Sequence, residues 1–208
     1  MSAQLVLATH SAHKVEELRR ILGPLLDGIE LIGYDGPEPV EDGDTFEANA
    51  LIKARAAALH TGLPSIADDS GISVDALGGA PGINSARYAG TRDDTDNLQL
   101  LLKNLGANPN RAAHFSCAAA LVVPPPVGSA GPDGPAPASR EFVELGIWPG
   151  TILEEPAGRN GFGYDPIFMP DDADVSSAEL TPDQKNAISH RAMAFRALMP
   201  AVRRELLG

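Results

Sequence analysis

Leu5-Val6-Leu7-Ala8-Thr9-His10-Ser11-Ala12-His13-Lys14-Val15 decides the fold. Its first four residues are a short apolar run suited to a buried strand. After a loop from Thr9 to His13, Val15, Leu18, Ile21 and Leu22 recur at helical spacing. Strand, loop and helix in that order predict an α/β unit, with free backbone N–H groups and the positive helix end aimed at an anion. Gly23-Pro24 ends or interrupts the helix.

The same reading extends along the chain. Asp44 with Glu47 has the spacing of a capping box, opening a helix through Phe46, Ala50, Ala54, Ala57 and Ala58 to about Gly62. On that helix Asn49 and Lys53 are four apart and share a face. Pro64-Ser65-Ile66-Ala67 predicts a strand that delivers Asp68 and Asp69 to its end, where Ser70-Gly71 lets the backbone turn. Leu98, Leu101, Leu102 and Leu105 predict another amphipathic helix. Stretches from Ala112 to Val123 and from Phe142 to Trp148 predict two hairpin strands, joined by a mobile Pro/Gly-rich loop over 124–139. Thr181-Pro182-Asp183-Gln184 combines a capping box with proline at the first helical position. A final helix carries Ala194, Leu198, Val202 and Leu206, with Pro200 expected to break or kink it. Alternating helices and strands argue for an α/β fold, a mixed sheet flanked by helices.

Composition narrows the function. A chain of 208 residues fits one domain, or one domain with two lobes, and 43% hydrophobic with 21% charged residues is a globular balance. A net charge of -12 argues against a protein that coats nucleic acid, which needs many phosphate contacts from Lys and Arg. It leaves room for a small phosphorylated ligand, for which a few local cations suffice. The lone Cys117 excludes an internal disulfide and a multi-Cys zinc site. With no leader-like segment and no apolar run of membrane-spanning length, a soluble cytoplasmic protein is expected, with no membrane partner. Of only four lysines, Lys14, Lys53 and Lys185 fall in segments that carry other functional signals. A compact ammonium suits a point contact to phosphate.

Four segments supply chemistry. Asp68 and Asp69 offer an oxygen-only site suited to Mg²⁺, one ligating the metal while the other orients or deprotonates a water. Glu41 is the candidate for a further ligand. The loop from Thr9 to Lys14 lacks the Walker A glycines, but the Thr9 and Ser11 hydroxyls, backbone N–H groups and Lys14 could contact phosphate. His10 and His13 are three apart, yet no third zinc ligand stands at sensible spacing. Gly161-Phe162-Gly163-Tyr164-Asp165 offers an aromatic face for stacking, with glycines that let a ligand close in. Ser189-His190-Arg191 and Lys185 offer donors for an exocyclic carbonyl or for phosphate.

With these residues assembled, the chain resembles the inosine triphosphate pyrophosphatase family, the bacterial RdgB and Ham1-like dITP/XTP diphosphatases. The likeness runs from about Leu5 to Leu207, excepting the Pro/Gly-rich loop. It includes Thr45-Phe46…Asn49-Ala50…Lys53-Ala54, Ala67-Asp68-Asp69-Ser70-Gly71, Gly78-Gly79-Ala80-Pro81-Gly82, Ser85-Ala86-Arg87-Tyr88, Trp148-Pro149-Gly150, Phe162-Gly163-Tyr164-Asp165-Pro166 and Ser189-His190-Arg191. The resemblance implies one nucleotide pyrophosphatase domain over 1–208, an elongated mixed sheet, and two lobes with a central active-site cleft. It implies a homodimer and Mg²⁺-dependent hydrolysis of deaminated purine nucleoside triphosphates to monophosphate and pyrophosphate, clearing aberrant nucleotides from the precursor pool.

Carried over by position, Thr9, His10, Ser11, Ala12, His13 and Lys14 would contact the triphosphate, with Lys53 helping to neutralise the pyrophosphate. Asp69 would be proton acceptor and magnesium ligand, assisted by Asp68, with Glu41 as a further ligand and Ser70 beside the nucleotide. Phe162, Gly163, Tyr164, Asp165, Lys185, His190 and Arg191 would enclose base and sugar. The chain departs from the family pattern at His10, usually Gly, at Ser11, usually Asn, and at Ala48, usually an acid. Glu47 lies about 100° around the helix from Ala48 and cannot simply take its place. Two other readings fit the same segments: a Maf-like pyrophosphatase of other modified nucleotides, and a nucleotide-binding protein that does not hydrolyse.

Overall fold

The opening strand forms as β1 (Ala3–Leu7), with Leu5, Val6 and Leu7 buried. The computed structural model describes residues 2–10, 12–126 and 138–208. Helix α1 (Ala12–Leu22) starts earlier than its apolar stripe suggests, so Ala12, His13 and Lys14 lie in its first turn rather than in a loop. Val15, Leu18, Ile21 and Leu22 form its buried side. The chain leaves through a 3₁₀ turn (Gly23–Leu26) and enters β2 (Ile29–Gly33), which pairs parallel with β1.

Helix α2 (Phe46–Thr61) is capped by Thr45, whose hydroxyl accepts the Ala48 amide at 3.1 Å, and not by Asp44. The extended backbone of Thr45 aims its oxygen at the third helical N–H. That third position is Ala48, which has no side chain to bond back, so the expected Asp44–Glu47 box does not form. Gly62, in the left-handed conformation, closes the helix. Its inner face is almost all alanine. Ala50, Ala54 and Ala58 pack on Ala67, Ala118, Ala120 and Val122, small side chains that let helix and sheet approach closely.

Strand β3 (Ser65–Val74) runs unbroken through Asp68, Asp69, Ser70 and Gly71. The expectation that the strand ends at the acidic pair is wrong. The aspartates lie in mid-strand, where successive side chains point to opposite faces. Helix α3 (Asp94–Leu105) starts at its cap Asp93, whose carboxylate accepts the Asp96 amide at 3.0 Å. The long strands β4 (Ala112–Val123) and β5 (Arg140–Ile152) follow. Most of 124–139, where a mobile loop is expected, lies outside the described residues. A 3₁₀ turn (Asp165–Ile167) leads into β6 (Phe168–Pro170), antiparallel to β5.

Helix α4 (Pro182–Ile188) has both halves of the Thr181–Gln184 capping box. Helix α5 (His190–Leu207) passes through Pro200 without ending. Proline costs one backbone bond and crowds the preceding turn. Phe195, Leu198, Met199 and Val202, buried on both sides of it, favour the continuous helix.

The six strands lie in the order β2-β1-β3-β4-β5-β6 and include parallel and antiparallel pairs, a mixed α/β sheet. The chain divides into two compact units, one of residues 1–69, 118–145 and 194–208, the other of 70–117 and 146–193. The second unit has its own core, in which Phe168 meets Phe115 and Trp148 edge to face beside Leu101, Ile152 and Ile167. Among the described residues no helix is long and apolar enough to cross a membrane.

Candidate active site

In the first unit, α2 and β3 build an acidic cluster around one lysine. Asn49 and Lys53 stand one helical turn apart and both reach Asp69. The Asn49 amide donates to Oδ2 at 3.1 Å, and the Lys53 ammonium donates to Oδ1 at 3.3 Å. Lys53 also donates to Glu41 at 3.0 Å. Asn49 is only 3% exposed, and its carbonyl oxygen accepts the Gly43 amide at 2.8 Å, fastening the segment that presents Glu41. A Cβ at position 43 would stand 2.7 Å from that same oxygen, so glycine lets the segment lie this close. The fold thus gathers Glu41, Lys53 and Asp69.

The charges do not balance within the cluster. Burial alone would lower the Lys53 pKa, but Asp69, Asp68 and Glu41 more than reverse it, and the ammonium holds its proton more firmly than an ordinary lysine. Burial pushes the Asp69 carboxyl above the usual carboxylate range, with Glu41 adding to the push, while Lys53 and Asn49 oppose it. An ion pair alone would move the two groups apart; Asp69 rises because partial burial outweighs the pull of Lys53 and Asn49, with Glu41 adding to the rise. No group of three or more His, Cys, Asp or Glu side chains able to hold a metal occurs among the described residues. Two carboxylates with excess negative charge nonetheless suit Mg²⁺, which keeps most of its waters and completes its shell with substrate phosphate.

The loop after β1 is arranged differently from the plain phosphate cradle expected. The His10 ring stacks on Tyr34, with centroids 5.6 Å apart, and its nitrogens lie 2.8 Å from the Gly36 carbonyl and 3.1 Å from Glu38. The His10 ring is therefore engaged within the protein. Lys14 is exposed on the first turn of α1. Ser11 lies outside the described residues, as do the side chains of Ala12 and His13.

The second unit holds a pocket of another character. Asp165, 2% exposed, is its internal brace. One carboxylate oxygen accepts the Phe162 amide at 2.8 Å and pairs with Lys185; the other accepts the Ser177 hydroxyl at 2.8 Å. A side chain at Gly161 would collide with that carboxylate, and the backbone there has φ +74. The brace turns Phe162 outward, 55% exposed, with Lys185 Nζ 5.2 Å and Arg191 Cζ 5.8 Å from its ring centroid. An uncovered aromatic face flanked by two cations can take a flat ring that carries acceptor oxygens.

The other walls are equally determined. Tyr164 is buried and donates its hydroxyl to the Ser85 carbonyl at 2.8 Å. Burial, with Tyr88 and Asp94 nearby, drives its pKa well up, so the phenol stays protonated. Ser189 closes α4, and its hydroxyl accepts the Ala192 amide at 3.3 Å, which sends His190 and Arg191 to the pocket at the start of α5. His190 lies flat on Phe115, ring centroids 4.8 Å apart, and Arg191 approaches the Ser70 hydroxyl at 3.5 Å. The sequence reading left Asn49, Ser85, Asp94, Phe115 and Ser177 out of its site. Asn49 had a local signal in its four-residue spacing from Lys53, and Ser85 lies in a stretch that carries the resemblance; Asp94, Phe115 and Ser177 arrive through contacts between residues far apart in the chain.

The chain is similar to known proteins over nearly its whole length. The Ham1 family model matches residues 5–201. A dITP/XTP pyrophosphatase from Leifsonia xyli subsp. xyli is 54% identical over 203 residues, 96% of each chain. One of the same name from Streptomyces coelicolor is 50% identical over 212 residues, 99% of each. Among solved structures, a HAM1 protein from Coxiella burnetii superposes with a TM-score of 0.83 at 39% identity, covering 97% of this chain and 99% of that one. A nucleoside-triphosphatase / dITP/XTP pyrophosphatase from Mycobacterium abscessus gives 0.72 at 44% identity, covering 95% and 99%. With its family model and relatives of this identity spanning nearly the whole length, the chain belongs to the Ham1 family.

Proposed function

We propose that this protein hydrolyses deaminated purine nucleoside triphosphates (dITP, ITP and XTP) to the monophosphate and pyrophosphate, with Mg²⁺ as cofactor, removing aberrant nucleotides from the precursor pool. The carrying observation is the Asp69 carboxylate, half-buried and held at both oxygens by Asn49 and Lys53. A raised carboxyl pKa makes this group a stronger base than an exposed aspartate. The resemblance further suggests a single functional domain, a homodimer and a cytoplasmic setting.

Asp69 orients a water and takes its proton as the oxygen attacks the α-phosphorus; the bond from α-phosphorus to the bridging oxygen breaks, and pyrophosphate leaves. Lys53, with Lys14 and the backbone N–H groups after β1, offsets charge on the phosphates, so most of the rate comes from positioning and electrostatics. Asp69 and Glu41 would hold Mg²⁺, which supplies Lewis-acid polarisation of phosphate oxygens when bound. Selectivity rests on Phe162, Lys185 and Arg191. The two cations can only donate, which suits the 6-carbonyl of hypoxanthine or xanthine and opposes the 6-amino group of adenine. Leaving buried donors unpaired typically costs orders of magnitude in rate.

The experiment is pyrophosphate release from dITP, XTP, dATP and dGTP, with Mg²⁺ and after chelation by EDTA. Turnover of dITP and XTP should exceed that of dATP by orders of magnitude and vanish with EDTA. Equal rates on all four would sink the selectivity, and full activity in EDTA the metal.

A further inference from the structure

The first turn of α3 holds two separate segments of the pocket wall. Asn97, 1% exposed, accepts the Ala89 amide at 2.7 Å and donates to the Ala86 carbonyl at 3.3 Å. Three residues earlier and on the same helix face, Asp94 Oδ2 accepts the Gly163 amide at 2.8 Å across a sequence separation of 69 residues. Gly163 has φ +61 and open space beside it, so its local conformation is not fixed by packing. It directly follows Phe162, the exposed aromatic face. Asp165 holds the Phe162 amide from the other side. The two peptide groups that set the direction of the Phe162 side chain are therefore each tied to a carboxylate, and only one of those is buried.

We infer that Asp94 is a positioning residue for base recognition: through Gly163 it fixes the turn that presents Phe162, and it sets affinity for the ring rather than for the phosphates. The inference rests on reading this pocket as the base site. Asp94 is exposed and engages no cation among the described residues, so charge pairing does not explain it. A carboxylate accepting a backbone N–H makes one of the stronger hydrogen bonds available at a surface. Without it, a positive-φ glycine turn samples other conformations, and a stacking partner must order it on binding.

The test is a double-mutant cycle on the inosine 5′-monophosphate affinity, by calorimetry, with inorganic pyrophosphate as the base-free probe. Asp94→Ala should weaken the monophosphate by roughly tenfold and leave pyrophosphate affinity unmoved. Asp94→Asn retains an acceptor oxygen and should recover most of the loss. In a Phe162→Ala background, Asp94→Ala should add less than about a twofold effect, since the aromatic it orients is gone. Amide exchange at Gly163 should quicken in Asp94→Ala without any ligand. Independent, multiplying effects of the two substitutions, or equal weakening of both probes, would overturn the inference. If the wild-type protein fails to hydrolyse dITP but the cycle on the monophosphate behaves as described, the enzymatic reading falls and the role of Asp94 stands. No monophosphate binding at all removes both.

Discussion

Asn49 holds Oδ2 of Asp69 at 3.1 Å from a position where its own carbonyl also accepts the Gly43 amide at 2.8 Å. One side chain thus sets the reactive carboxylate and the segment that carries Glu41. Asn49→Ala leaves both groups unsatisfied in a half-dry site. It should cost about 1–3 kcal/mol in urea unfolding and lower dITP turnover as well. Unchanged stability and turnover would remove Asn49 from this role.

Asp69 predicts how activity and stability run with pH. Burial raises its pKa, so the acid limb of the turnover profile should lie above the ordinary carboxylate range, with activity rising as pH climbs through it. Stability runs the other way. A carboxyl whose folded pKa exceeds its unfolded value contributes stability that is fully present below the unfolded pKa and is lost as pH rises through the folded one. Asp69→Asn should abolish most turnover yet melt no lower than wild type at neutral pH, and any advantage should narrow in acid. Thermal melts across pH, beside turnover profiles, check both signs.

Gly161 and Gly163 flank Phe162 and both have positive φ, but only Gly161 lies against a neighbour, the Asp165 carboxylate. Gly163→Ala should cost only the backbone strain, about 1 kcal/mol. Gly161→Ala adds a collision with a buried, fully bonded group and should lower the melting temperature by several times more. Equal losses would mean that the turn does not depend on Asp165.

Lys185, itself only partly buried, pairs with the buried Asp165 carboxylate, and breaking such a pair from one side is costly. Lys185→Met strands the carboxylate and should destabilise by about 3–5 kcal/mol. Adding Asp165→Asn removes the stranded charge and should restore part of the stability, a non-additivity that denaturant titration of the four proteins measures.

Much of this architecture is legible locally, and the exceptions have identifiable causes. The Thr181–Gln184 box and the Gly62 stop depend on residues within one turn, and both appear as the spacing predicts. The cap of α2 moved from Asp44 to Thr45 because two capping side chains stand side by side and the register of the helix chooses between them. Asp68-Asp69-Ser70-Gly71 has turn-forming composition, but β3, paired with β1 at Ser65 and Ile66 and with β4 as its other neighbour, continues through it. Pro200 likewise yields to burial of the residues around it.

By itself the sequence determined the alternation of strands and helices, the packing faces and the residue types available for phosphate, metal and base, since these follow from periodicity and side-chain chemistry over a few neighbours. Tertiary structure alone decided that Asn49 and Lys53 share Asp69, that Lys185 and Ser177 hold the Asp165 carboxylate, and that Asp94 reaches Gly163. Those pairings join residues brought together only by chain closure, and no local pattern encodes which distant group will satisfy a buried donor or charge.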